Sequence, residues 1–209
     1  MQRVLLAALA GAVLYFLWGF IFWVVLPIGP MVFQQAADEP ALAEQIRRSI
    51  QQPGTYLVPG MELMTTDAAE FTRRHEAGPV ATLFVHSAGR PVMGATVLLG
   101  GFATMFASTL LMSILLKVTA IPCYAGRVIV VCLAGLAGIF LGDLGFPFWY
   151  DWPWHLWLAS AVFHVSGWLL VGLVLAAIVR PRPQSVEQES VPAGATQGPK
   201  PTTARHDRE

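Results

Sequence analysis

The chain has 209 residues, 55% of them hydrophobic and only 12% charged, with a mean hydropathy of +0.57, which excludes an ordinary soluble domain and points to a membrane protein. Thirteen basic residues balance thirteen acidic ones for a formal net charge of +0, so there is no overall basic surface of the kind that binds nucleic acid. Cys123 and Cys132 are the only cysteines, too few for a disulfide framework.

Taken in order, the run from Val4 to Pro27 carries no charge, and about 20 such residues suffice to cross the hydrocarbon core. Arg3 precedes it as in a signal sequence, but the apolar run is too long for a cleavable signal, so residues 1–28 are expected to form an uncleaved signal-anchor span. Residues 29–92 then bring in seven of the thirteen acidic residues and five of the eleven arginines together with turn residues, and predict a small α/β domain outside the bilayer. Asp38 with Pro40 behind it opens an amphipathic helix that carries Glu44 and Arg48 four apart. Pro53 and Gly54 stop that helix, and GTYLVPG reads as a short strand. Asp67 with Glu70 forms a capping-box pattern for a second helix from Ala68 to Ala77, stopped by Gly78 and Pro79, and PVATLFVH reads as a second strand. The pattern leaves open whether the two strands pair in parallel through the intervening helix or join a sheet completed elsewhere. So little secondary structure is marginal alone and is expected to rest on the membrane part or on a partner.

Residues 93–180 predict three further spans, Met93 to Leu116, Val128 to Leu144 and His155 to Val179, and residues 181–209 a disordered tail rich in Pro, Ser, Thr and Gln. The fold class expected is thus a membrane all-α four-helix bundle with a small α/β extracytoplasmic domain inserted between spans 1 and 2. Arg3, Lys117, Arg127, Arg180 and Arg182 all flank the side that carries both termini, whereas the connection from Gly145 to Trp154 has no Lys or Arg. The excess of positive charge sets that side in the cytoplasm. Trp149, Trp152, Trp154 and Trp157 crowd the opposite boundary, where indole rings act as interface anchors.

The strongest packing pattern is small residues at four-residue spacing: Ala134, Gly138 and Gly142 in the third span, Gly172 and Ala176 in the fourth. Such faces let helices approach closely, within the bundle or in a homo-oligomer. His164 lies roughly 13 Å below the outer end of the fourth span, at nine residues of 1.5 Å rise, where an ionisable side chain is a functional hypothesis in its own right. Its plain structural partner would be Thr104, Ser108 or Thr109 of the second span. Asp143 and Asp151, with His155, complete the candidate polar membrane site: the carboxylates could hold a cation or a substrate amine, or simply sit solvated at the interface, Asp143 beside an arginine of the outer domain. His155 and His164 are nine apart and point to opposite sides of one helix, so no metal site and no cofactor is expected. The segment 29–92 contains no nucleophile elbow, no HExxH and no phosphate-cradling glycine loop, so catalytic residues are not indicated.

WGFIFWVVLP in the first span, then GTYLVPG and GPVATLFVH before three more spans, resembles a loose group of small bacterial four-span inner-membrane proteins with no assigned activity, over about Val4 to Val179. That resemblance implies a bacterial inner membrane and four spans. The expected partners are the lipid bilayer and a membrane or periplasmic protein, and the expected function is that of a non-enzymatic accessory protein docking an envelope partner through its outer domain and aromatic loop. The alternative is a small transporter or membrane enzyme using His164, Asp143 and Asp151.

Overall fold

The structure, a computed structural model, describes residues 1–180; the expected tail, 181–209, lies outside the described residues. The protein is mostly helical, with four helices long and apolar enough to cross a membrane and one small two-stranded sheet. α1 (Gln2–Phe20) runs into a π-helical turn, Ile21–Val25. It ends where Leu26 turns extended (φ −76°, ψ 147°), as the residue before a proline must to avoid the ring of Pro27. A short α2 (Ile28–Val32) follows.

Between α2 and the second long helix stand α3 (Glu39–Ser49), β1 (Gly54–Val58), α4 (Met61–Thr66), α5 (Ala68–Ala77) and β2 (Ala81–Val85). The caps read from sequence form: Asp38 accepts from the Ala41 N–H and Asp67 from the Glu70 N–H, each at 3.0 Å, and Gly78 leaves α5 at φ +68°. β1 and β2 pair antiparallel, Gly54 opposite Val85 and Val58 opposite Ala81, in place of the parallel pairing the sequence left open. The connection through α4 and α5 is long enough to return the chain in either direction, so hydrophobic pattern alone could not choose. From Phe33 to Met93 only Pro59 is buried, and Phe84 is 66% exposed. The segment builds no core.

Ion pairs steady its surface helices instead. Glu70 accepts from Arg73 and Arg74 at 2.6–2.7 Å, and these hydrogen bonds pull its carboxyl from the ordinary 4.5 down to about 2. A depressed carboxyl pKa stabilises the folded form above the unfolded value, and that contribution is lost as pH falls from 4.5 through about 2. Amide protection in α5, corrected for the intrinsic exchange rate, is therefore expected to fall between pH 4.5 and pH 2, and Glu70→Gln to remove that step; an unchanged profile in the variant would assign the step elsewhere.

The remaining long helices are α6 (Ala95–Thr119) and α7 (Tyr124–Gly142), then a short α8 (Gly145–Trp149) and α9 (Trp154–Ile178). α6 stops at Ala120, which adopts the left-handed conformation at φ 47°. The packing is not that of a closed bundle. α1 lies between α6 and α9, α9 lies between α1 and α7, and α6 and α7 are joined by a short connection but otherwise barely touch. Alternating directions place Lys117, Arg127 and Arg180 at the end where α1 begins, and the aromatic connection at the other. Small side chains let α1 take the middle position: Ala7, Ala8, Gly11 and Ala12 are buried, and Thr109 of α6 donates to the Ala8 carbonyl at 2.8 Å.

The α7–α9 seam is set by Arg127, Val131, Gly135 and Ile139, one residue in every four, all buried. Gly135 lies under the Trp168 ring and a Cβ on Gly172 would stand 3.5 Å from Val131, with Ala176 fully buried beside them. Gly138 and Gly142 are different: a Cβ on either would meet nothing within 4 Å. The expected stripe Ala134, Gly138, Gly142 is thus one residue out of phase with the real seam, because the large Trp168 ring and the Arg127 side chain, not the count of small residues, select the face that packs.

Candidate functional site

Where α6 and α7 separate, a groove of about 380 Å³ opens between them, floored by α1 and α9. Its walls are mostly apolar, with Met105, Leu111 and Met112 beside Thr104 and Ser108 on one side, Ile139 on the other and Phe163 and Trp168 beneath. Tyr15, His164 and Asp143 supply its polar floor.

These three form a chain across three helices. The Tyr15 hydroxyl lies 2.7 Å from His164 Nδ1, and His164 Nε2 lies 3.7 Å from Asp143 Oδ2, close enough for attraction but too far for a hydrogen bond. Every group finds its best role if the phenol donates to Nδ1, since a neutral ring then carries its proton on Nε2, facing the carboxylate. Ser160, one turn before the histidine, donates to the same carboxylate oxygen at 3.5 Å. The two side chains remain part exposed, 34% for His164 and 28% for Asp143.

Among the residues read from sequence, the structure brings His164 and Asp143 together and sets the other two apart. His155 Nε2 instead meets the Val32 carbonyl at 3.0 Å, tying α9 to α2. Asp151, with φ 51°, lies in a second cleft of about 410 Å³, where Trp149 and Tyr150 face Leu57, Phe71 and His75 of the outer segment. Among the described residues no arginine pairs with Asp143 within 4 Å, and its side chain stays 28% exposed. α8 prolongs the chain past it, so it lies level with Ser160 and His164, roughly 9 to 15 Å along α9 from Trp154 at 1.5 Å per residue. Thr104, Ser108 and Thr109 do not meet His164: the first two bond carbonyls of their own helix, and the third bonds Ala8.

The four tryptophans read as interface anchors gather at the end opposite Lys117, Arg127 and Arg180, in different surroundings. Trp149 is 82% exposed, Trp152 stacks on Phe146 at 4.6 Å, and Trp154 meets Trp157 edge to face at 5.7 Å. The Trp157 indole N–H is buried without a partner among the described residues.

Tyr15 was not legible as a site residue, yet a signal existed: it is the one hydroxyl in the run from Val4 to Leu26. Such a group must find a partner in hydrocarbon. Tyr15→Phe keeps the ring packing against Phe163 and Trp168 and removes only the hydroxyl. It is expected to lower stability by about 1 kcal/mol, read as a lowered melting temperature in mild detergent; no change would mean that His164 is held by α9 alone.

Four apolar helices of spanning length define the class, a multi-pass membrane protein. Family models, curated proteins and solved structures return no match to the chain.

Proposed function

We propose that this is a non-enzymatic accessory protein of the bacterial inner membrane that holds an amphipathic molecule in the groove between α6 and α7. Both termini face the cytoplasm, and the segment from Phe33 to Met93 faces the periplasm. The carrying observation is the groove itself, mostly apolar in its walls and polar at Tyr15, His164 and Asp143, with a volume of about 380 Å³, within the ordinary range of small-molecule sites. Clustering of Lys117, Arg127 and Arg180 at the end opposite the aromatic connection supports the orientation.

Native mass spectrometry of the full chain tests the binding. The wild type is expected to retain a co-purified amphiphile that Ala134→Trp, which fills the groove, loses. Equal retention of bulk lipid by both would end this reading. Protease added to spheroplasts is expected to cut the outer segment and spare the carboxyl tail, and the opposite result would invert the orientation.

A second reading, docking of an envelope partner on the outer cleft, rests on a different observation: a segment without a core faces Trp149, Tyr150 and Asp151 across about 410 Å³. Affinity purification with and without residues 33–93 tests it, and identical companions in both would set it aside. A transporter or membrane enzyme would draw on His164 and Asp143, without Asp151.

A further inference from the structure

Asp143 is the one carboxylate bordering the intramembrane groove. Among the described residues no Lys or Arg lies within 4 Å of it, and the ion-pair partner in reach is His164 at 3.7 Å. It stands between Gly142, the last residue of α7, and α8, which starts at Gly145. Ser160 offers it one long hydrogen bond at 3.5 Å, and the facing imidazole stops 3.7 Å away. A carboxylate with no Lys or Arg beside it, open to an apolar groove, is arranged to receive a cation.

We infer that the groove binds a single-chain lipophilic amine, its ammonium on Asp143 and its hydrocarbon along Met105, Met112 and Phe163. The inference rests on the binding role proposed above for the same groove and adds the charge class of its ligand. Two other sources of an ammonium fit less well. An aminophospholipid holds its amine at the headgroup level beside a phosphate, whereas Asp143 lies level with Ser160 and His164, roughly 9 to 15 Å along α9. A lysine-bearing helix of another protein, about 10 Å across, would need more room than about 380 Å³.

Photolabelling of the full-length protein in nanodiscs of zwitterionic lipid separates these outcomes. The probes are a dodecylamine carrying a diazirine in its chain and the matching alcohol, with adducts mapped by mass spectrometry. The amine is expected to label the segment from Thr104 to Met112 on the order of tenfold more than the alcohol does, the scale of one charge-assisted hydrogen bond. Asp143→Asn is expected to erase that ratio and Asp143→Glu to keep most of it. Should the asparagine variant fail to fold, the amine-to-alcohol ratio on the wild type decides alone. Equal labelling by amine and alcohol within the groove would overturn the amine assignment while leaving a ligand groove intact. Labelling no stronger there than on the lipid-facing Leu133 would overturn both.

Discussion

Replacing Gly135 by valine is expected to cost about 2 to 3 kcal/mol, the upper range for overpacking a tight contact, whereas the same change at Gly138 is expected to be nearly silent. The two glycines are three residues apart on α7 and look equivalent in sequence. A Cβ at Gly135 would overlap the base of the Trp168 ring, whose atoms cannot swing aside as a flexible chain end could. Trp168 in turn packs edge to face on Tyr15 at 5.4 Å, so displacing it disturbs the tyrosine that holds His164. At Gly138 an added Cβ would meet nothing within 4 Å. Thermal unfolding of the two variants in the same detergent checks the contrast. Equal losses would mean that α7 is rotated from the face described.

The second large effect belongs to Arg127, a guanidinium 5% exposed among apolar helices. Its Nε donates to the Ala176 carbonyl at 3.0 Å, and its Nη1 to those of Ile121 and Pro122 at 3.0 and 2.7 Å. Ala176 lies in the last turn of α9, where carbonyls lack intrahelical partners and a cation is favoured by the dipole. One side chain thus ties the start of α7 to the end of α9 and to the turn leaving α6. Arg127→Met keeps much of the stem and leaves three carbonyls unpaired, at an expected cost of about 3 kcal/mol. Arg127→Lys is expected to recover only part of this, since an ammonium cannot reproduce the planar fork. Denaturant unfolding with a helix-content readout measures both, and a lysine variant as stable as wild type would reduce the role to charge alone.

Both effects show what the sequence could convey and where it stopped. Uninterrupted apolar length specified the four spans, because hydrocarbon thickness is a fixed ruler. Asp38, Asp67 and Gly78 marked helix ends, because capping is a contact between near neighbours. The lateral order of the helices was not legible. Ala7, Ala8, Gly11 and Ala12 make α1 a central element, yet in the linear chain they read as part of a signal-like run. Arg127 read as a boundary charge because its three acceptors lie five or more residues away. His164 and Asp143 were singled out as costly polar groups in an apolar setting, but the hydrogen-bond partner of the histidine, Tyr15, lies 149 residues from it. Asp151 and His155 shared the same polarity and nothing else, and the fold sends each to another place.

If the groove takes the guest proposed above, the gap between α6 and α7 sets the route by which it arrives. A solute reaching Tyr15 through that seam comes sideways out of the acyl chains, so the dose that matters is its mole fraction in the lipid. Apparent potencies expressed per litre of buffer would then climb with each methylene added to the guest's tail, at unchanged complementarity, simply through oil–water partitioning.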